Sequence, residues 1–429
     1  MRYCARCLYP ENAKPTIIID EEGVCSGCRY HESRAHVNWE ERGEIFWQIV
    51  HEAKRLAKER GNLYDCIIPV SGGKDSNFQV YTLKKIYGLT PLLVTFNHIY
   101  NSQVGVRNLE NLVDKSGSDL LRFTANPHSV RKVSRFMLKT VGDLTWHYHA
   151  GIFTFPFRVA VERNIPFVML GEEGYSELTG MFTIDDFVEF KKWTRKEHDM
   201  RGYEPEDVVA KSKGEIAMTD LIPYIFPSEE DIERVGVRGI YMSNFFDWDA
   251  KYQAELVMGK WNFAPVTFKR DRTFNLFAKT DDHANDIHDY LKFLKFGYGR
   301  ATDDASIEIR HGRMTREEGI QMVTEYDANE PETLKNYLDF LEITKAEFYG
   351  LVEDMRDPSI WVKGDGEWHM KDSVANHSTG ELVEKARVEQ IDDRVFSEKN
   401  RNLYFNDKLT PIKRGDPRSD EKILQFKIL

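Results

Sequence analysis

Hydrophobic positions along the chain switch repeatedly between a helical period and short apolar runs. Over residues 36–60, Trp39, Ile45, Ile49, Ala53 and Leu56 recur near helical spacing, which predicts an amphipathic helix. The run Tyr64-Asp65-Cys66-Ile67-Ile68-Pro69-Val70 predicts a strand, followed by Ser71-Gly72-Gly73-Lys74-Asp75-Ser76 and a helical stretch to Tyr87. Pro91–Phe96 and Asp119–Phe123 read as strands, with a helix at Leu109–Ser116 between them. Val130–Thr140 and Gly151–Arg163 read as helices, and Pro166–Leu170 as a buried strand running into Gly171-Glu172-Glu173-Gly174. Strands alternating with helices at this spacing predict an α/β fold built on a doubly wound parallel sheet.

The alternation breaks at 175–235, a stretch rich in charge, aromatics, Gly and Pro, which reads as an insertion on the ligand side of the sheet. Mixed aromatic structure follows over 236–300, with a helix around His283–Phe296. Three helical patterns come next, Thr315–Tyr326, Pro331–Leu341 and Lys345–Met355. Thr315 and Glu318 are spaced as a capping box, and Pro331 suits a helix start. The expected organisation is an N-terminal segment at 1–35, a nucleotide-binding α/β domain at 36–300, a helical region at 301–356 and an extension of unassigned role at 357–429.

Composition narrows the classes of function. Hydrophobic residues make up 41% and charged residues 30% of the 429, an ordinary balance for a globular chain. The net charge of −11 argues against general adhesion to nucleic acid or an anionic membrane, which needs a basic surface. No apolar run is long enough to cross a bilayer, and MRYCARC lacks the apolar stretch of a secretory signal, so no membrane insertion and a cytoplasmic location are expected.

Four of the five cysteines lie in the first 28 residues as Cys4/Cys7 and Cys25/Cys28, with 17 residues between the pairs. Each Cys-x2-Cys bracket sets two sulfurs on one tight turn, and two brackets complete a tetrahedral S4 site of the kind that holds structural Zn²⁺. A redox dithiol and an iron–sulfur cluster are the competing readings. Four thiolates leave no open position, so a metal here serves folding rather than catalysis.

The central chemical signal is Ser71-Gly72-Gly73-Lys74-Asp75-Ser76 between a strand and a helix. Two glycines let backbone pack closely round a phosphate, the helix N-terminus aims N–H groups at it, and Lys74 adds a positive charge. Ser71 and Ser76 add hydroxyl donors, while Asp75 suits orienting the loop or holding Mg²⁺. Gly171, Glu172 and Glu173 follow a strand at its carboxyl end, where ligands of open α/β sheets gather. They could bind Mg²⁺ or polarise a ligand, or form a solvated loop. His149 is a candidate for substrate contact or proton transfer, with packing as the bland alternative. Asn244, Asp247 and Asp249 in SNFFDWD suggest a sugar-binding wall, or equally a capped loop over a core cluster. Cys66, inside an apolar strand, reads as core, and the chain then holds no nucleophile for splitting glutamine.

The loop resembles the SGGxDS fingerprint of the PP-loop ATP pyrophosphatases. The ordered set of the cysteine ribbon, YDCIIPVSGGKDS at 64–76, HAGIFTFPFRVAVE at 149–162, GEEG at 171–174 and YLKFLKFGYGRATD at 290–303 is similar to the bacterial N-acetyl sugar amidotransferases of surface-polysaccharide (LPS O-antigen and nonulosonic acid) biosynthesis, over roughly residues 1–355. The resemblance implies ATP cleavage between the α and β phosphates with Mg²⁺, and conversion of an acetamido group on a nucleotide-linked sugar to acetamidino. It also implies ammonia supplied by a separate glutaminase with a cyclase-like companion. Lys295 and Arg300, on or just after one helix with Lys292, then become candidates for neutralising pyrophosphate beside Lys74. A solvated basic helix end would explain the same three residues.

Rival readings are a PP-loop tRNA thiolase, a carboxylate amidase of the asparagine- or GMP-synthetase kind, and a non-enzymatic zinc-ribbon assembly module. The thiolase needs sulfur-carrying cysteines that only Cys66 could supply. The amidase generally brings its own glutaminase domain, and the module is disfavoured by an intact SGGKDS.

Overall fold

The structure, a computed structural model, describes residues 1–381 together with 383 and 386. Calls on the rest of the 357–429 extension fall outside the described residues. The centre is a parallel sheet of Cys66–Pro69 (β1), Pro91–Asn97 (β2), Leu120–Thr124 (β3), Phe167–Leu170 (β4) and Arg238–Tyr241 (β5), in the order β3-β2-β1-β4-β5. The doubly wound α/β class read from the alternation is the one the chain adopts.

Ahead of the sheet stand Ser26–Arg34 (α1) and Trp39–Arg60 (α2). Asn38 caps α2 by accepting from the Glu41 N–H, and Gly61 ends it in a left-handed conformation. Lys74–Val80 (α3) continues into a π-helical turn, Tyr81–Ile86. Between strands lie Gln103–Ser116 (α4), Pro127–Val141 (α5), Trp146–Ile152 (α6) and Phe155–Arg163 (α7). The single helix predicted over 151–163 is thus two, because Pro156 has no N–H to continue α6 and suits the first turn of α7.

Strands β1, β2 and β4 are largely buried on both faces, as in covered parallel sheets, whereas the edge strand β3 is half-buried to exposed. Cys66 and Ile68 face a core with Phe46, Trp47 and Val50 of α2, while Ile67 faces the opposite one with Phe157, Val159 and Ala160 of α7. Each such side chain contributes about 1.5–3 kcal/mol by leaving water. Cys66 is wholly buried, and burial pushes its thiol well above the ordinary range, in keeping with the core reading.

The 175–235 stretch is the crossover from β4 to β5. It contains Gly174–Thr179 (α8), Pro205–Ser212 (α9), Glu229–Val235 (α10) and several single turns. Met200, Val208, Ile216, Leu221 and Tyr224 pack there with Phe96, Phe136 and Trp146. β5 itself escaped the hydrophobic pattern. It is four residues long and contains Gly239, where a Cβ would stand 2.6 Å from the Phe190 Cβ and 2.8 Å from the Phe157 ring, so only glycine lets α7 approach this closely.

Ala250–Trp261 (α11), also unforeseen, lies against α3. Ala284–Phe296 (α12), Arg300–Arg310 (α13), Arg316–Tyr326 (α14), Leu334–Leu341 (α15) and Lys345–Glu353 (α16) follow. The Thr315–Glu318 capping box forms as expected. The hairpin of Trp361–Gly364 (β6) and Glu367–Met370 (β7), unassigned from sequence, closes the described part. Among the described residues no helix is long and apolar enough to cross a membrane.

Candidate active site

The order β3-β2-β1-β4-β5 puts a topological switch between β1 and β4, since the chain winds outward one way from β1 and the other way from β4. Such a crevice opens at the carboxyl ends of the strands. Ser71–Ser76 leaves β1 there, and Gly171–Gly174 leaves β4 beside it. The two motifs separated by about a hundred residues in sequence therefore meet at one point of the sheet.

Gly72 adopts φ +91°, and a Cβ on it would stand 2.5 Å from the Gly105 carbonyl oxygen and 3.0 Å from the Leu109 N–H nitrogen. Gly73 is the N-cap of α3 with no side-chain cap hydrogen bond, so the first-turn N–H groups are left for a ligand. The Ser71 N–H donates to Ser76 Oγ at 2.9 Å and the Gly73 N–H to Ser71 Oγ at 3.3 Å, which bends the loop over the helix end. Lys74 is buried, and its Nζ donates to both Asp75 oxygens at 2.6 and 2.7 Å. Burial would lower this ammonium, but the carboxylates of Asp75 and Glu172 outweigh it and raise the pKa.

Glu172 reaches solvent at the mouth of a cleft crowded by protein atoms. That crowding, followed by the Asp75 charge, raises its carboxyl to about 7, while Lys74 pulls the other way. Gly171 ends β4, with its carbonyl accepting from the Ser243 N–H at 3.2 Å.

The far wall of the cleft comes from residues the sequence did not single out. The segment ahead of α12 lies across the start of α4: the Ser102 N–H donates to the Asp281 carbonyl at 3.0 Å, Asn101 bridges Asp282, and Gly105 admits the Asp281 backbone. Lys279, exposed and held at φ +49°, sits in this segment and interacts with the Glu172 charge. The Arg300 charge, followed by crowding from surrounding protein atoms, lowers its ammonium, and among the described residues no ion pair holds it. Its signal in the sequence was a basic residue in the irregular run ahead of α12, which carried no periodicity.

Lys295 and Arg300 are placed otherwise than the sequence suggested. Lys295 Nζ donates to the carbonyls of Gly142 at 2.9 Å and Val141 at 3.5 Å, capping the end of α5, and burial lowers it to about 8. Arg300 pairs with Asp289 at 2.7 and 2.9 Å and with Asp303 at 3.3 Å. Its charge is matched by two carboxylates, and Lys292 is likewise held by Asp303. Among the described residues, Lys279 is the cation that acts on Glu172 without an ion pair of its own.

His149 belongs to a cluster with Asp143, Thr145, His288 and Arg201. Thr145 Oγ1 donates its one proton to Asp143 at 2.7 Å, so it must accept from His288 Nδ1 at 2.8 Å and from His149 Nδ1 at 3.4 Å. That tautomer leaves Nε2 of both rings as a lone-pair acceptor. Burial, reinforced by His288, keeps His149 well below the usual imidazole range. Arg201 Nε holds Asp143 at 3.1 Å. Asp143, His288 and Arg201 converge only in three dimensions.

Three further candidates have their side chains engaged elsewhere. Glu173 is buried as the N-cap of α8, accepting from the Ser176 N–H at 2.7 Å and Ser176 Oγ at 2.6 Å. Asn244 donates to the Val188 carbonyl at 2.9 Å and lines a cavity of about 260 Å³ beside β5 that includes no loop residue. Asp247 accepts from Arg34 Nε at 2.7 Å, tying α1 to the body of the protein. A recess at the ends of β1 and β2, bounded by Ser71, Thr95, Asn97 and His98, lies nearer the chemistry than that larger cavity.

The four N-terminal cysteines are buried and their sulfurs lie within 4.8 Å of one another, close enough to share one metal ion. Cys7 and Cys25 are 3.5 Å apart and Cys4 and Cys28 4.0 Å. Four sulfurs about 2.3 Å from a tetrahedral centre would be about 3.8 Å apart. N–H groups of Arg6, Cys7 and Cys25 point at Cys4 Sγ at 3.3–3.4 Å, as a thiolate needs. The ribbon is built onto α13: Tyr9 donates to Asp303 at 2.8 Å, and Arg310 lies 3.7 Å from Cys25 Sγ.

Residues 267–374, which supply Lys279 and the α13 platform, match the family described as LPS biosynthesis protein WbpG-like, C-terminal domain. This stretch, about a quarter of the chain, is similar to that domain. The resemblance to surface-polysaccharide enzymes read from the motifs holds at the level of the family. The uncharacterized protein MJ1599 of Methanocaldococcus jannaschii is 26% identical over 118 residues, 28% of this chain and 41% of that protein, so the chain spans well under half of this relative. Among solved structures, the NH3-dependent NAD synthetase of Campylobacter jejuni is similar at a TM-score of 0.25 and 10% identity, over 46% of this chain and 92% of its own. The NMN synthetase of Francisella tularensis is similar at 0.24 and 12%, over 54% and 100%. At these TM-scores the fold class rests on the strand order and not on the likeness.

Proposed function

We propose that the chain is an ATP-dependent amidotransferase that converts an acetamido group of a nucleotide-linked sugar to acetamidino during surface-polysaccharide synthesis in the cytoplasm. The observation that carries the reading is the intact Ser71–Ser76 loop at the sheet's switch point, with Glu172 beside it and the free Lys279 opposite.

The loop fits a polyphosphate: a Cβ at Gly72 would fill the close approach to α4, and the uncapped start of α3 offers N–H donors. Lys74 and Lys279 offset phosphate charge from two sides. Asp75 and Glu172 are the oxygen donors fitted to hold Mg²⁺, which when bound adds charge neutralisation at the phosphates.

The acetamido oxygen attacks the α-phosphorus, forming a P–O bond as the bond to the β-phosphate oxygen breaks and pyrophosphate leaves with the electron pair. Ammonia then forms a C–N bond at the imidate carbon, and AMP departs with the former amide oxygen. The surplus protons of the added nitrogen pass to a base, for which the neutral His149 and His288, with Nε2 open, are suited. The ribbon holds Zn²⁺ through Cys4, Cys7, Cys25 and Cys28 and orders the platform under α13. With Cys66 buried in the sheet and the other four cysteines in the ribbon, no cysteine is placed to split glutamine, and the family resemblance implies that ammonia comes from a separate glutaminase with a cyclase-like companion.

The test is AMP and pyrophosphate release from ATP and ammonium, screened against UDP- and CMP-linked acetamido sugars with products read by mass spectrometry. An amide oxygen replaced by NH is expected, and Ser71→Ala with Lys74→Ala should abolish AMP formation. AMP release only with tRNA and a sulfur donor, or full activity in the double variant, would overturn the assignment.

A further inference from the structure

A second cluster of metal-binding side chains lies where α1, α8 and α13 meet, outside both the cysteine ribbon and the PP-loop. His31 comes from α1, Glu177 from α8, and His311 directly follows α13. One donor atom from each lies within 4.8 Å of the other two. The imidazole centroids are 4.6 Å apart, with the rings inclined at 73°.

Hydrogen bonding leaves the cluster unfinished. His31 Nδ1 and His311 Nε2 are both buried with no hydrogen-bond partner among the described residues. Such atoms are destabilising unless something occupies them. His311 Nδ1 faces Asp249 Oδ2 at 3.8 Å, and Asp249 is itself braced by Arg313 at 2.8 and 3.2 Å. A proton on Nδ1, the side nearer Asp249, leaves the buried Nε2 with a free lone pair. A carboxylate behind a histidine ligand is the usual second layer of a zinc site. Burial holds both rings neutral, at about 4 for His31 and about 3 for His311, which is the ligating form.

The surrounding arginines do not forbid a cation. Arg34 is matched by Asp247 and Glu177, Arg313 by Asp249 and Glu308, and Arg310 faces the ribbon sulfurs. Tetrahedral metal–ligand lengths near 2.0–2.1 Å set donors about 3.4 Å apart, so closing the site asks donors now within 4.8 Å of one another to approach by up to about 1.4 Å.

We propose that His31, Glu177 and His311 bind a second divalent ion of the zinc class, with its remaining position open to water. The ion would clamp the ribbon helix to α8, the helix that starts at the Gly171–Gly174 turn. It thereby couples ribbon docking to the position of Glu172.

The experiment uses the full chain carrying its ribbon metal. It is titrated with Zn²⁺ and the bound metal counted by mass spectrometry, then with Co²⁺ while the thiolate-to-cobalt absorption reports on the ribbon. Two ions per wild-type chain are expected, and one in His31→Gln/His311→Gln with the thiolate band unchanged. Asp249→Asn, which keeps all three ligands and can still cap α11, should weaken the second ion by about 10- to 100-fold and leave the first alone. A single ion per wild-type chain at excess Zn²⁺ overturns the proposal without need of a variant. Two ions in the double-histidine variant overturn it as well, by placing the second elsewhere.

Discussion

Replacing Gly72 by alanine adds one carbon atom at the point where the β1 loop passes α4. Its φ of +91° is a conformation L side chains rarely adopt, worth about 1–3 kcal/mol of strain. The new Cβ would also stand 2.5 Å from the Gly105 carbonyl oxygen and 3.0 Å from the Leu109 nitrogen. Both neighbours are backbone, so no rotamer change relieves the overlap. Loop and helix must separate by roughly 0.7 Å to reach ordinary contact, and misplacement of that order costs about a hundredfold in rate. Gly72→Ala is therefore expected to destabilise the α/β domain by about 2–4 kcal/mol and to reduce AMP formation about a hundredfold. Gly43→Ala is the internal control: Gly43 lies inside α2 with nothing within 4 Å of its Cβ position. There the same substitution should stabilise by about 0.5–1 kcal/mol. Urea unfolding followed by tryptophan fluorescence, with pyrophosphate release measured in parallel, reads both effects. Wild-type midpoint and rate in Gly72→Ala would refute the close approach of loop and α4.

Three other outcomes follow from the site. Lys279→Ala breaks no ion pair among the described residues, so the unfolding midpoint should stay within about 0.5 kcal/mol of wild type while kcat/KM for ATP falls about 10- to 100-fold, or 1.4–2.8 kcal/mol. An unchanged kcat/KM would remove Lys279 from the phosphate site. Glu172, raised to about 7 by its crowded surroundings and by Asp75, gains its charge as pH rises from 6 to 8. Mg²⁺-dependent ATP affinity should climb across that window in wild type and stay level in Glu172→Gln; equal slopes in equilibrium dialysis would count against a carboxylate ligand. Arg310→Met removes charged hydrogen bonds to the Glu177 and Leu178 carbonyls at 2.6 and 3.0 Å, each worth about 1.5–3 kcal/mol, and leaves the ribbon sulfurs without their cation. It should surrender metal to a chelator faster and unfold at lower urea, whereas wild-type metal retention would show that the sulfurs do not need it.

Local chemistry was legible where it depended on neighbours in the chain. The short apolar strand around Ile67, the Thr315–Glu318 cap, the paired Cys-x2-Cys brackets and the glycine loop after β1 all express interactions spanning a few residues, and each stands in the structure as the sequence implied. The burial of Cys66 belongs with them, because an apolar strand in a parallel sheet has no face left for solvent. Short-range pattern gave no access to β5, whose glycine is set by the approach of α7, or to which cation faces the loop. Lys295 and Arg300 looked equivalent to Lys279 as positive residues, yet one caps α5 and the other is matched by Asp289 and Asp303. A charge acts on a phosphate only if no nearer partner neutralises it, and apart from Asp303, three residues from Arg300, those partners lie more than ten residues away in the chain. The same holds for Thr145, which joins Asp143 to His288 across 143 positions, and for His31, Glu177 and His311, gathered from three helices. The chain by itself determined the sheet class, the grouping of the four cysteines and the glycine loop after β1, because those are set by spacing and by local backbone freedom. Tertiary structure alone decided which titratable groups remain unpaired in the cleft, because pairing depends on distances that only packing creates.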